Sequence, residues 1–383
     1  MRSARVLVAP DKFKGSLSAR DVAAHVAAGL LAARPGLQVE QVPVADGGDG
    51  TVESALAAGF RRVRVRAAGP DGRPVEAAIA VRGPVAVVEL ALASGLALVP
   101  QGRLAPLTAT SRGAGELFRA ALAQGGRQII LGAGGSACTD GGAGMLQALG
   151  ARLRDGRGQE LSPGGAPLAA LDRADLAGLD PRLAGVRLVL ASDVDNPLLG
   201  PHGAAHVYAP QKGASGQDAA LLEAALGRWA AFAGPAAAHA PGAGAAGGVG
   251  FAALAVLGAV RRPGIEVMLD LIGLRDRLPP AGLVVTGEGA LDRQTLHGKA
   301  PAGVAAAARE AGVPAVAVCG RCDLGGKALG ALGIRRAYPL TGIEPDPAAR
   351  MTRAGPLLTA VAARIAADLP GLLRASHGRA FGR

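Results

Sequence analysis

The sequence predicts a two-domain α/β protein in which one domain is inserted into the other. Strand and helix patterns alternate over about the first 60 residues, short alternating strands follow, and the strand–helix alternation returns from about residue 282. We therefore expect residues 1–65 and 282–383 to form a parallel α/β domain. Residues 66–281 would then form the inserted α/β domain, with the active site in the cleft between the two.

The N-terminal segment contains two predicted strand–helix units. The buried strand RVLVAP is followed by a helix in SLSARDVAAHVAAGLLAARPG, which Ser16 or Ser18 can cap and which the PG dipeptide ends. LQVEQVPVA predicts a second strand, and TVESALAAG predicts a second helix after the loop DGGDG. This order implies parallel strands, as in a Rossmann-like sheet.

The predicted inserted domain begins with an antiparallel meander of three short runs joined by GPDG and RG. Its later elements are predicted as the helix GAGELFRAALAQGG, the strand QIILGA, the helix GAGMLQALGARL, the strand VRLVLAS, the helix QDAALLEAALGRWAAFA and the loop PGAGAAGGVG before FAALAVLGAV. The returning alternation consists of the strand GLVVTGEG, the helix APAGVAAAAREAG, the strand PAVAVCG, the helix GKALGALG and the strand IRRAYPL.

Composition argues against several classes of protein. The chain has 383 residues and a net charge of +11, which invites a nucleic-acid interpretation. Its arginines are scattered, however, and aromatic residues make up only 2% of the chain, so few side chains could stack on bases. A basic surface, or a positive field that attracts an anionic substrate, explains the charge better.

Cysteine usage and hydropathy favour a cytoplasmic protein with reduced thiols. Three cysteines make no disulfide framework, and CGRC supplies only half of the ligands of a closed zinc site. The N-terminal segment has no apolar run typical of a secretory signal. The longest apolar stretch, FAALAVLGAV, has about ten residues and is too short to span a bilayer.

Several loops after predicted strands, or just before helices, combine glycine with charged residues. Ligands of open α/β sheets bind at the carboxyl ends of the strands. Glycine lets backbone N–H groups turn toward an anion, and a helix N-terminus adds partial positive charge. The candidate residues are Asp11, Lys12, Lys14 and Ser16 in PDKFKGSLS; Asp46, Gly47, Gly48 and Asp49 in VADGGDGT; Gly134, Gly135, Ser136 and Asp140 in LGAGGSACTDGGAG; Asp193, Asn196, Gln211 and Lys212 in ASDVDNPLLGP and APQKGAS; and Glu288, Asp292, Thr295 and Lys299 in TGEGALDRQTLHGKAP.

Lysine placement strengthens these candidates. The chain has 41 Lys and Arg residues, of which only five are lysine, and four of the five lie in these loops. The fifth, Lys327, lies in a helix that looks ordinary. Lysine is a compact point charge that suits phosphate, whereas arginine suits planar pairing. Chance placement is the alternative explanation.

Structural roles compete with functional ones at several positions. The loop after QIILGA has neither the GxGxxG nor the GxxxxGK[ST] spacing. Asp140 and Asp292 precede predicted helices, where N-capping is a serious rival explanation. Glu89 would be buried in a central strand, and it then requires a partner or a function. Taken together, the lysines, carboxylates and glycine loops fit phosphoryl transfer, in which positioning and charge neutralisation dominate.

The longer motifs resemble the bacterial glycerate kinase family, the class that forms 2-phosphoglycerate. The resemblance runs from residue 6 to about 340, in the same order, through PDKFKGSLSA, ADGGDGT, GAGGSACTDGGAGMLQALG, DVDNPL, APQKGA, GAGAAGGVG followed by GIEVMLD, and TGEGALDRQTLHGK. Members commonly have Glu where Asp49 stands and Asn where Thr139 stands, so the roles of these two positions are open. The resemblance implies two α/β domains and phosphorylation of D-glycerate by ATP with Mg²⁺.

The resemblance and the residue chemistry together suggest roles. Lys12 and Lys14 would neutralise a substrate carboxylate or the transferring phosphate. Asp46 and Asp193 are candidates for the hydroxyl base or a metal ligand, and Glu288 is a second candidate ligand of Mg²⁺. Gly134, Gly135 and Ser136 would hold an anion, with Lys212, Glu288, Asp292 and Lys299 completing the charged lining. We expect substrate or phosphate contacts from the remaining candidates named above.

Two other classes of function stay open at this point. One is a nicotinamide-dependent oxidoreductase for hydroxy acids, which the missing GxGxxG after the first strand disfavours. The other is a protein that binds anions or nucleic acid without catalysis. We expect no nucleic-acid or membrane partner, and the sequence does not indicate an oligomeric state.

Overall fold

The structure, a computed structural model, describes residues 5–100 and 102–374. The strands in these ranges are β1 (Arg5–Pro10), β2 (Gln38–Gln41), β3 (Arg61–Ala68), β4 (Pro74–Arg82), β5 (Val85–Glu89), β6 (Gln128–Gly132), β7 (Arg152–Asp155), β8 (Leu171–Asp175), β9 (Arg187–Ala191), β10 (Val260–Arg262), β11 (Leu283–Leu291), β12 (Ala315–Cys322) and β13 (Ile334–Pro339). The α-helices are α1 (Ala19–Ala33), α2 (Thr51–Ala57), α3 (Ala91–Ser94), α4 (Arg112–Ala123), α5 (Ala143–Ala148), α6 (Ala204–Tyr208), α7 (Gly216–Ala233), α8 (Ala245–Ala255), α9 (Gly264–Leu271), α10 (Leu274–Arg277), α11 (Ala300–Glu310), α12 (Gly326–Leu332), α13 (Pro347–Thr352) and α14 (Ala354–Arg374).

The described chain divides into two compact units. The first unit comprises the residues up to Asp46, the short segment Glu53–Ala58, and the residues from Ile265 onward. The second unit comprises Gly47–Val52 and Gly59–Gly264. Each unit has its own sheet and its own hydrophobic core. The predicted α/β class is confirmed.

The sheet of the first unit has five parallel strands in the order β13-β12-β11-β1-β2. β1 is buried and pairs on one side with β11, nearly 280 residues later, and on the other with β2. Ser18 caps α1, since its Oγ accepts the Asp21 N–H at 3.2 Å. The parallel strands direct their carboxyl ends to one edge of the sheet, where the loops of PDKFKGSLS and TGEGALDRQ begin.

The second unit has a six-stranded sheet in the order β10-β9-β6-β5-β4-β3. β3, β4 and β5 form the predicted antiparallel meander, and β5, β6, β9 and β10 continue as parallel strands. β7 and β8 form a separate antiparallel pair. The carboxyl ends of β6 and β9 therefore lead into LGAGGSACTDGGAG and ASDVDNPLLGP.

Two predicted elements of the second unit are wrong. The helix GAGMLQALGARL ends early, because Gly150 has a φ of +112° and the chain continues as β7. The loop GAGAAGGVG instead contains the first turn of α8, in which Ala246, Gly247 and Gly248 all adopt left-handed backbone conformations. Glycine takes this conformation without strain, whereas Ala246 does not.

α14 completes the core of the first unit and was not predicted. By length and composition it could cross a membrane. Its side chains Leu358, Val361 and Ile365, however, are buried in the same core cluster as Val22 and Val26 of α1. The helix is thus long and apolar because one side packs against α1.

Gly29 is required where α1 meets α14. A Cβ at this position would lie 2.1 Å from Thr359 O. We expect Gly29→Ala to lower the free energy of unfolding by about 1–3 kcal/mol, measured by denaturant titration, because the two helices must separate. Gly36→Ala is the matched control, since a Cβ there meets no atom within 4 Å. Equal stabilities of the two variants would contradict this account of the packing.

Candidate active site

The first candidate group, which we call the carboxylate cluster, consists of Asp11, Lys12, Asp46, Glu288 and Lys299 in the first unit. Parallel pairing of β1 and β11 places Pro10 opposite Gly287. The Asp11 N–H then donates to Gly287 O at 2.8 Å, and the Val44 N–H donates to Pro10 O at 2.9 Å. These backbone bonds bring three loops, distant in sequence, to one sheet edge.

Asp11 is the most deeply buried acid in this cluster, with 6% of its surface exposed. Its Oδ1 accepts the Lys12 N–H at 2.7 Å and lies 3.6 Å from Lys12 Nζ. Burial raises the pKa of Asp11 to about 7; the Lys12 ammonium opposes this rise, while the charges of Asp46 and Glu288 add to it. A carboxylate with a pKa near neutral suits proton transfer at physiological pH.

Glu288 is held by the loop that follows β11. Thr295 Oγ1 donates to Glu288 Oε1 at 2.6 Å and accepts the Asp292 N–H at 3.1 Å. Lys299 Nζ lies 3.4 Å from Glu288 Oε2 and 3.8 Å from Asp292 Oδ1. Burial raises the pKa of Glu288, and the Thr295 and Lys299 contacts oppose the rise. The geometry favours Thr295 as a residue that positions Glu288, because its hydroxyl already donates to Glu288 and accepts from Asp292.

The PDKFKGSLS turn is fixed by its own backbone and by one distant contact. Phe13 O accepts the N–H groups of Ser16 and Leu17, and Gly15 has a φ of +79°. Ser16 Oγ donates to Met351 O at 2.7 Å, which favours an anchoring role for this hydroxyl. Lys12 is partly buried, and Lys14 is exposed.

The second candidate group, which we call the glycine-loop cluster, consists of residues 47–49, residues 134–136 and Lys212 in the second unit. The two loops pack with their backbones in direct contact. A Cβ at Gly134 would lie 2.5 Å from Gly48 Cα, and a Cβ at Gly135 would lie 2.1 Å from Asp49 Oδ1. The close approach of the two backbones requires glycine at Gly134, and the left-handed φ of +69° favours glycine at Gly135.

Glu89, for which the sequence predicts either a partner or a function, holds the first of these loops. It is 3% exposed at the end of β5. Its Oε1 accepts the Gly50 N–H at 3.0 Å, and its Oε2 accepts the Val52 N–H at 2.9 Å. The partner of Glu89 is thus the N-terminus of α2, where a negative charge is stabilised by the unpaired amides.

Asp140 is fully buried and bonded within the protein. Its carboxylate accepts the N–H groups of Ser111, Gly142 and Gly144 and the hydroxyl of Ser111. This geometry favours a structural role for Asp140 at the beginnings of α4 and α5, although the N-cap residues of these helices are Ser111 and Gly142. Sequence reasoning missed Ser111, because a serine before a helix carries no sign of which distant carboxylate it will meet.

Lys212 is buried, with 2% of its surface exposed. Its Nζ donates to Ser136 Oγ at 2.9 Å and to Cys138 O at 2.5 Å. The same loop is packed against the left-handed turn of α8, because a Cβ at Gly247 would lie 2.1 Å from Cys138 O. Ala246, with a φ of +54°, is the only non-glycine residue with positive φ in residues 5–100 and 102–374.

The remaining candidates of the second unit have mixed surroundings. Asp193 is exposed, and its Oδ1 accepts the Gly264 N–H at 2.7 Å. Asn196 accepts from Tyr208 Oη at 2.6 Å and donates to His202 O at 2.8 Å, which favours a structural role. Gln211 is exposed.

The CGRC motif contains two free thiols at the end of β12. A hydrogen bond from Cys319 lowers the pKa of Cys322 to about 6, and the same bond together with burial raises the pKa of Cys319. Within the described part of the chain, no three His, Cys, Asp or Glu side chains are grouped so that they could hold a metal ion.

Comparison with known proteins identifies the family. A sequence profile described as the glycerate kinase family matches residues 6–370. The chain belongs to the glycerate kinase family. Glycerate kinase of Bacillus subtilis (strain 168) is 45% identical over 323 residues, which cover 82% of this chain and 85% of that protein. Glycerate 2-kinase of Escherichia coli (strain K12) is 45% identical over 324 residues, with the same coverage.

A solved structure agrees with this assignment. The crystal structure described as glycerate kinase 2 from Salmonella typhimurium LT2 superposes with a TM-score of 0.83 at 40% identity, covering 97% of this chain and 99% of that one. The resemblance inferred from the motifs is confirmed, and so is the enzyme class, a kinase. The comparisons assign no role to any single residue, so the roles below are proposals.

The pKa of Asp11 predicts a pH-dependent effect of Asp11→Asn on stability. Folding raises this pKa from 3.8 to about 7. The stabilising contribution of the protonated carboxyl is therefore complete below pH 4 and is lost as the pH rises through 7. Asp11→Asn should raise the free energy of unfolding at pH 8 by up to roughly 4 kcal/mol, with a smaller gain at pH 5.

Denaturant unfolding at several pH values measures this difference. Asp276→Asn, at an exposed position of the same unit, is the control and should change stability little at any pH. A difference for Asp11→Asn that does not vary with pH, or a loss of stability at pH 8, would show that the buried carboxylate is not under strain.

Proposed function

We propose that this member of the glycerate kinase family transfers the γ-phosphoryl group of ATP to D-glycerate and forms 2-phosphoglycerate. The family match over residues 6–370 is the observation that carries the proposal, because it spans all of the loops that contain candidate residues. The carboxylate cluster supports it chemically, because it sets a buried acid beside a lysine at a sheet edge.

Asp11 is the proposed acceptor of the proton from the glycerate hydroxyl. Its burial and its near-neutral pKa suit that task, whereas the sequence suggests Asp46 and Asp193 as candidates for the base or a metal ligand. Asp46 and Glu288 then act indirectly, because their negative charges help to keep Asp11 basic. The glycerate hydroxyl transfers its proton to Asp11 as the hydroxyl oxygen attacks the γ-phosphorus of ATP. The bond between the γ-phosphoryl group and ADP breaks, and ADP is the leaving group.

Lysines and backbone N–H groups are proposed to neutralise the charge of the substrates. Lys12 lies beside Asp11, where it can meet the carboxylate or the transferring phosphoryl group of the substrates. Lys14 is exposed at the same turn, and Lys299 bridges two carboxylates. The N–H groups of residues 134–136 are proposed to bind an anion.

The two residues that the sequence suggests as Mg²⁺ ligands, Asp193 and Glu288, differ in how well their surroundings suit a cation. An ammonium lies 3.4 Å from one oxygen of Glu288, and a hydroxyl donates to the other, so Glu288 does not suit a cation. Asp193 is an exposed carboxylate after a strand, and Mg²⁺ in kinases is commonly held by one or two carboxylates and the phosphates. We propose Asp193 as the protein ligand; the ion would neutralise charge on the phosphate oxygens.

Several expectations drawn from the sequence remain predictions. They include the domain boundaries at 65/66 and 281/282, the catalytic cleft and the cytoplasmic location. The family assignment leaves a nicotinamide-dependent oxidoreductase or a binding protein without support.

A coupled assay tests the reaction and its product. Purified protein is incubated with ATP, Mg²⁺ and D-glycerate, and formation of phosphoenolpyruvate is followed with enolase as the only coupling enzyme. We expect a signal without phosphoglycerate mutase, since enolase acts on the 2-isomer. A signal that requires added mutase would show that the 3-isomer is formed.

The role of Lys12 is tested by Lys12→Ala. We expect kcat/KM for glycerate to fall roughly a hundredfold to a thousandfold, because one charged group that meets the transferring phosphoryl or the substrate carboxylate is lost. Lys327→Ala is the matched control, because Lys327 is exposed on α12 of the same unit. Near-normal turnover in Lys12→Ala, with the melting temperature unchanged, would remove Lys12 from the mechanism.

A further inference from the structure

Lys212 is a buried cation without a partner carboxylate. It is among the largest fully buried side chains, and no Asp or Glu oxygen lies within 4.0 Å of its Nζ in the ranges that the structure covers. An ammonium removed from water is strongly destabilising unless an opposite charge or several acceptors compensate. Burial lowers the pKa of Lys212, and the more distant Asp140 opposes the change.

Asp140 does not neutralise Lys212 directly. Its oxygens are engaged by the backbone and hydroxyl donors at the start of α4 and α5. The Lys212 ammonium has three protons to donate, and its two acceptors are Ser136 Oγ and Cys138 O. One donor therefore has no acceptor among the described residues.

The Ser136 hydroxyl also lacks one hydrogen-bond partner among the described residues. Ser136 is 9% exposed, and its Oγ accepts from Lys212. Its own proton must therefore point away from the ammonium, and the described residues offer it no acceptor. Gly134 and Gly135, which precede it, carry no side chains, and Asp49 Oδ1 lies 2.1 Å from the point where a Cβ of Gly135 would stand.

We propose that Lys212 is a positioning residue. The negative charge that would compensate its ammonium comes from an oxyanion ligand bound at residues 134–136. By donating to Ser136 Oγ, the ammonium fixes the serine hydroxyl as a donor toward the ligand. This inference rests on the proposed function and replaces the direct phosphate contact that sequence analysis expected of Lys212. The ligand class is a phosphate or carboxylate oxyanion, which the nucleotide and glycerate both carry.

Lys212→Met should affect the binding of an anionic substrate without lowering the stability of the protein. Lys212→Met removes the buried charge and keeps the shape, so the melting temperature should stay the same or rise. The KM for one anionic substrate should rise about tenfold to a hundredfold, with a smaller change in kcat, because a charge-assisted contact is lost. A purely structural lysine would instead lower the melting temperature without a selective change in KM.

Ser136→Ala and the double variant test whether Lys212 acts through Ser136. Ser136→Ala should raise the same KM, and the double variant should be no worse than the poorer single variant. Lys327→Met is the control and should leave both KM values unchanged. Multiplied effects in the double variant, or unchanged KM values in Ser136→Ala, would overturn the proposal even if Lys212→Met folds poorly.

Thermal shifts with separate anions identify the ligand without relying on turnover. ADP, inorganic phosphate and D-glycerate are each titrated into the intact wild type and the variants. The wild type should be stabilised by the anion that occupies the loop, and Lys212→Met and Ser136→Ala should both show a smaller shift. Equal shifts in all three proteins would refute the anion site, whereas failure of the enolase assay alone would refute only the proposed reaction.

Discussion

The close approach of two loop backbones is the constraint on which the second unit's candidate site depends. Residues 47–48 lie so near residues 132 and 134 that a side chain at Gly132 or Gly134 would collide with them. Glu89 holds one loop by accepting two N–H groups, and Lys212 donates to Ser136 and Cys138 of the other. Glu89 and Lys212 are both buried, so these hydrogen bonds form inside the protein and not with solvent.

Burial of charge is also what distinguishes the carboxylate cluster. Asp11 and Glu288 are held at the ends of adjacent parallel strands, and burial disfavours the ionised form of each. Strain of this kind lowers stability but places groups with altered proton affinity where a substrate can meet them. The fold and the chemistry are therefore linked through the same residues.

The sequence was sufficient for the class of fold, the family and most elements, because periodic hydrophobicity and glycine breaks are local signals. It also identified Glu89 as an acid in need of a partner. It could not distinguish Lys212, which is fully buried, from Lys12 and Lys14, since burial is decided by distant segments. The roles of Ser16, Thr295 and Asn196 were also unpredictable, because only the folded chain shows that their side chains meet Met351, Glu288 and Tyr208.

The pairing of β1 with β11, and of α1 with α14, has a consequence for biosynthesis. As the chain leaves the ribosome from its N-terminus, β1 and α1 emerge long before the partners that bury them. The second unit, with its own core, is complete by residue 264. The second unit can fold first. Until β11 and α14 have been synthesised, the apolar residues of β1 and α1 have no partners and can associate with other nascent proteins.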